Sequence, residues 1–202
     1  MGAVLLTGIA KFLFMDFLNL KLLYIILAVV LWATYVAVSN RVIPSLLEYW
    51  GFRVDNLKQV LAAVLPWALT AVIACILVGV WQNTVNLTWH ILPLLVIYPI
   101  WGVVQQFLIV SLLAGNLQDL RKYEIPRPVI MLLTALVFGL VHYPYPWLII
   151  GTFLLAILYT HVYLRSRNLW VLGVLHGWLG AIFFYTVVDR DPFVEVLGNL
   201  LY

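Results

Sequence analysis

Apolar residues run through this chain in blocks of about twenty, separated by short polar stretches. A bilayer core about 30 Å thick is crossed by roughly 20 helical residues. The blocks therefore predict membrane helices near residues 20–39, 60–80, 91–114, 128–142, 147–163 and 169–188, the fourth and fifth of them short. Between those two, HYPYPW at 142–147 carries two prolines that stop one helix and permit a sharp reversal, so the pair is expected to form a tight hairpin. The opening MGAVLLTGIAKFLFMDF lacks a basic start and a small-residue cleavage site, and Lys11 and Asp16 break its apolar run. Residues 1–19 are expected to be a retained interfacial segment, and residues 20–202 a single transmembrane domain.

Composition supports the same picture. Of 202 residues, 65% are hydrophobic and 9% charged, with a mean hydropathy of +1.08; soluble domains are about 45–50% apolar and about 25% charged. The expected class is all-α, a polytopic membrane bundle of about six transmembrane helices. A net charge of +3 on so few charges gives no nucleic-acid site. It reports orientation instead. The connections after the first, third and fifth spans hold Arg41, Arg53, Lys58, Arg121, Lys122, Arg127, Arg165 and Arg167, whereas those after the second and fourth hold no Lys or Arg. The positive-inside rule makes the odd-numbered loops cytoplasmic and puts both termini on the opposite side. Cys75 is alone, which excludes a disulfide within the chain.

Every Asp and Glu lies outside the proposed spans, so the membrane interior holds amides, hydroxyls and histidines but no carboxylate. Polar side chains in lipid are costly and turn toward a bundle interior. Gln105 and Gln106 stand together on the third span, at helical spacing from Tyr98, Gly102 and Ile109. FGLVH on the fourth puts Phe138 and His142 one turn apart, beside Ala135 and Gly139. GVLHGWLG on the sixth sets Gly173, His176, Gly177 and Gly180 on one stripe, where small residues admit a neighbouring backbone. Each feature has a plainer explanation: the glycines as helix packing, the amides as cross-helix hydrogen bonds, either histidine as a satisfied core residue. His90 and His161 fall near span ends, where an imidazole needs no special role.

In order along the chain, these residues resemble the CPBP family of CAAX proteases and bacteriocin-processing (Abi) enzymes, whose helices carry EExxxR, then FxxxH, then HxxxN or HxxxD. FGLVH matches the second motif as Phe138 and His142, and the run from Asn168, Leu169 and Trp170 to His176 resembles the approach to the third. The resemblance covers about 91–188 and implies a CPBP (CAAX protease-like) helical bundle with a site sunk into the membrane. It also sets out four departures. Gln105 and Gln106 occupy the positions of the glutamate pair, Val110 that of the Arg, and Gly180 that of the Asn or Asp.

In that family the glutamate is held to activate water, with the histidines and Asn assisting. Glutamine keeps the shape of glutamate but takes no proton, and general-base help is worth about 10²–10⁴-fold. Catalytic zinc usually has three protein ligands, so two histidines without an intramembrane carboxylate make zinc a poor fit, and no cofactor is expected. The combination favours a CPBP-fold protein without proteolysis that binds a membrane partner: a lipid, a lipidated peptide or another transmembrane protein. The second candidate is an active intramembrane endopeptidase with His142 or His176 as base. A third treats the two histidines as axial ligands of haem or a pigment. The expected site is a polar pocket joining Gln105, Gln106 and His176, open to the cytoplasm, with His142 as its deepest wall.

Overall fold

The computed structural model describes residues 1–120 and 124–201; Arg121 and Lys122, counted above among the loop cations, lie outside them. Among the described residues ten α-helices follow one another: α1 (Gly2–Lys11), α2 (Lys21–Val42), α3 (Leu46–Tyr49), α4 (Leu57–Gln82), α5 (Ile91–Gln106), α6 (Asn116–Gln118), α7 (Arg127–Leu140), α8 (Pro146–Ser166), α9 (Leu169–Phe183) and α10 (Pro192–Leu201). Three of them widen into π-helical stretches: α1 over Phe12–Phe17, α5 over Phe107–Gly115 and α9 over Phe184–Val188.

Five helical runs among the described residues are long and apolar enough to cross a membrane: Lys21–Val42, Leu57–Gln82, Ile91–Gln118, Pro146–Ser166 and Leu169–Val188. This is an integral membrane bundle of the expected class, with two corrections to the helix lengths. α7 has 14 residues, about 21 Å at 1.5 Å per residue, and stops short of a full crossing. α8, expected to be short, has 21. Its last residues continue past the apolar block at 147–163 to Ser166, with Leu164 buried in the core and Arg165 on the exposed side.

The connections gather at the two ends of the bundle. At one end Asn168, fully buried, caps α9 by accepting from the Val171 N–H at 3.0 Å and donates to Asn56 Oδ1 at 2.6 Å and to the Arg53 carbonyl at 3.0 Å. Tyr163 donates to the Trp50 carbonyl at 2.9 Å, and Arg167 pairs with Asp119 at 2.6 Å. Gly51, at φ +88°, lets the chain pass so near the Arg167 carbonyl that a Cβ would lie 2.6 Å from its oxygen. Three connections are thus tied into one surface. At the other end His90 meets Asp191 at 2.6 Å, Tyr185 donates to Asp191 at 2.7 Å, and Glu195 pairs with Lys21 at 3.0 Å and with Arg190. Burial by itself would raise the Glu195 carboxyl, but hydrogen bonds from Arg190 and Lys21 outweigh it and hold it below the usual range.

Helix α1 packs against the hairpin between α7 and α8. Val4 is buried, Gly8 lies against Val141, and Lys11 donates both to Asp16 at 2.7 Å and to the Tyr143 carbonyl at 3.1 Å. The tightest helix pair is α5 with α9, and its glycines explain why. A Cβ on Gly177 would lie 2.5 Å from the Tyr98 carbonyl carbon and Pro99 nitrogen, and one on Gly173 would lie 2.6 Å from Val103 Cα. Gly102 answers from α5, facing the Gly173 carbonyl. Gly180 does not belong to this contact, since nothing lies within 4 Å of a Cβ built there.

Candidate functional site

The α5–α9 contact carries the polar pair that the motif order singles out. Gln106 is fully buried and His176 nearly so, and the Gln106 Nε2 lies 2.8 Å from His176 Nδ1. With Nε2 toward the ring the amide donates to Nδ1, and with the amide turned over its Oε1 accepts from Nδ1–H, so the contact suits either imidazole tautomer. Directly after Gln106 the helix widens to π geometry, a feature frequent at functional sites. The Gln106 Oε1 is buried with no hydrogen-bond partner among the described residues.

At His142 the partner is a backbone carbonyl. The imidazole Nδ1 lies 2.7 Å from the Phe138 carbonyl, which can only accept, so Nδ1 carries the proton and Nε2 keeps its lone pair. The Phe138 ring contacts both imidazoles, with centroids 5.0 Å from His142 and 5.5 Å from His176. Phe138, His142, His176 and Gln106 thus form one continuous group contributed by α5, α7 with the turn after it, and α9.

The remaining candidates fall outside this group. Gln105 sits about 100° around α5 from Gln106 and is half-buried. The two amides do not share a face as expected, because adjacent helical residues cannot both point into one contact. Val110 is fully buried within the apolar core, which offers no setting for a guanidinium. Gly180, half-buried with open space around it, supplies no side chain. The expected open polar pocket is instead a closed Gln–His contact, because the glycine stripe brings α9 directly onto α5. Among the described residues no three His, Cys, Asp or Glu side chains converge as a metal site would require.

The open space lies on the other side of α5. A cavity of about 480 Å³ is lined by Trp32 and Val36 of α2, Val103 and Val104 of α5, Phe107 just beyond it and Val174 of α9, a size typical of small-ligand sites. Asn40 is a polar residue at its wall, with a buried Oδ1 that has no partner among the described residues. No motif pointed here. The α2 wall is distant in sequence, and an apolar wall has the same composition as a lipid-facing surface.

A sequence model described as "Type II CAAX prenyl endopeptidase Rce1-like" matches residues 87–182, the stretch that holds α5, α7, α8 and nearly all of α9. Over that stretch, just under half of its length, the chain is similar to the CPBP family. No curated protein and no solved structure matches the chain. The CPBP motif positions that come together in space are Gln106, Phe138, His142 and His176, while Gln105, Val110 and Gly180 stand apart from their contact.

Proposed function

We propose that this CPBP-like protein does not cleave peptides and instead holds a lipid-modified segment within the membrane. The observation that carries this is the Gln106–His176 hydrogen bond. A carboxylate at position 106 would accept from Nδ1–H and leave His176 Nε2 free as an acceptor. Whichever end of the Gln106 amide meets Nδ1, the amide has no basic oxygen that could take a proton from water. What remains can bind: an apolar cavity sized for a hydrocarbon chain, with the unpartnered Asn40 Oδ1 at its wall. The occupant favoured is a prenylated or acylated peptide segment or a lipid; another transmembrane protein presenting such a group is a further partner class.

A specific observation favours the endopeptidase as the second reading: His142 donates from Nδ1 to the Phe138 carbonyl and keeps a free Nε2. The haem or pigment reading gains nothing, since Phe138 lies against both rings.

The binding test uses purified protein in nanodiscs with a fluorescent farnesylated CAAX peptide and its unprenylated counterpart. The farnesylated peptide is expected to bind, to be recovered uncut, and to bind roughly tenfold more weakly, about 1.4 kcal/mol, to Val104→Trp, whose indole fills the cavity. Equal binding of both peptides, or no effect of Val104→Trp, overturns the reading.

The loop charges extend the proposal to orientation. The surface tied together by Asn168 also carries Arg53 and Arg167 and faces the cytoplasm in this reading. In a Cys75→Ser background, single cysteines at 115–127 and at 164–168 are expected to react with an impermeant thiol reagent from the cytoplasmic side, and one at 82–89 from the other. Identical accessibility of all three rejects this orientation.

A further inference from the structure

Where α7 begins and α8 ends, Arg127, His161 and Arg165 line a second cavity of about 220 Å³, together with Pro128, Met131 and Leu164. His161 and Arg165 lie one turn apart on α8, and Arg127 is the first residue of α7. The two guanidiniums are brought to one cavity by the packing of the α7–α8 hairpin. Neither is ion-paired among the described residues, whereas Arg53 pairs with Asp55, Arg167 with Asp119 and Arg190 with Glu195. The acidic residue nearest in sequence, Glu124, is exposed and forms no ion pair with Arg127 among the described residues.

Arg127 and Arg165 are both exposed, and two like charges lining one cleft repel each other. An anion between them reverses the sign of that interaction. Guanidinium groups suit a phosphate because each offers paired N–H donors to its oxygens. The other walls, Pro128, Met131 and Leu164, are apolar, so the cleft is cationic on one side and greasy on the other. A free inorganic ion has no use for the second half, and a phospholipid does.

We infer that this cleft binds the phosphate of an anionic phospholipid, with Arg127 and Arg165 as the principal donors, His161 beside them, and Met131 and Leu164 against the first carbons of an acyl chain. The site is separate from the Gln106–His176 contact and from the apolar cavity on α2, so its failure leaves the function proposed above untouched.

Native mass spectrometry of the purified full chain tests it, with delipidated protein titrated with phosphatidylglycerol or phosphatidylcholine. The wild type is expected to retain phosphatidylglycerol in preference to phosphatidylcholine, and Arg127→Gln with Arg165→Gln to lower its retention roughly thirtyfold, at about fivefold for each cation near a membrane surface. Each single variant should show its part of the loss and keeps the test in place if the double variant fails to fold. Arg41→Gln, at the end of α2 and outside the cleft, should retain the lipid as the wild type does. Equal retention of the two lipids, an Arg41→Gln loss as large as that of the cleft variants, or displacement of the lipid by millimolar inorganic phosphate would overturn the assignment. The second of these outcomes would reduce it to general surface charge, and the third to a free-anion site.

Discussion

Gly177→Ala is expected to destabilise this protein by roughly 3 kcal/mol, at the upper end of the usual cost of overpacking, and Gly180→Ala to leave it unchanged or slightly more stable. Both changes add one methyl group to the same helix, three residues apart. At 177 that methyl would lie 2.5–2.6 Å from backbone atoms of Tyr98 and Pro99, and backbone cannot swing aside as a side-chain tip can. The helices must separate, and the Gln106–His176 bond that spans the contact is lost with the packing. At 180 nothing lies within 4 Å, so the gain from replacing a helical glycine, about 0.5–1 kcal/mol, is realised without a clash. Thermal unfolding in detergent, followed by tryptophan fluorescence, measures both. A Gly177→Ala midpoint equal to wild type would mean that α5 and α9 are not held together by this stripe.

Purified protein is expected to leave a farnesylated CAAX peptide uncut, and Gln105→Glu with Gln106→Glu is expected not to restore cleavage. Loss of a general base costs about 10²–10⁴-fold and loss of an oxyanion donor about 10²–10³-fold. The double substitution addresses the first deficit alone. The carboxylate introduced at position 106 could accept from His176 Nδ1–H and free its Nε2, but position 180 would still present no side chain, and Val110 would still sit sealed in apolar packing. Release of the C-terminal tripeptide, followed by mass spectrometry over hours, is the measurement. Turnover by the unmodified protein that disappears in His142→Ala would instead assign the base to the imidazole whose Nε2 is free, and the proposed loss of proteolysis would be wrong.

Much of this architecture was legible along the chain. Blocks near 60–80, 91–114 and 169–188 became the helical runs Leu57–Gln82, Ile91–Gln118 and Leu169–Val188, because transfer into lipid depends on the summed apolarity of a segment and hardly on its neighbours. The glycine stripe at 173 and 177 was legible for a related reason: where Cβ atoms are missing, helix backbones can meet. The order of Gln106, Phe138, His142 and His176 carried the resemblance to the CPBP family before any contact was known.

The relative placement of distant residues was not legible in this way. The expected span of α8 ended at 163 before the helix did, at Ser166, because the bundle buries Leu164 beside the exposed Arg165. Gln105 and Gln106 were chemically identical candidates in the sequence, and only the rotation of α5 against α9 gave one of them a histidine and left the other half-buried. The partner of His142 is a carbonyl four residues away, and that of His176 an amide seventy residues away. Sequence by itself determined which segments enter the membrane and which residue types were available there, since partition is a sum over local composition. Tertiary structure decided which donor meets which acceptor and where the cavities open, because hydrogen bonds act over about 3 Å and that distance is set by the packing of helices far apart in the chain.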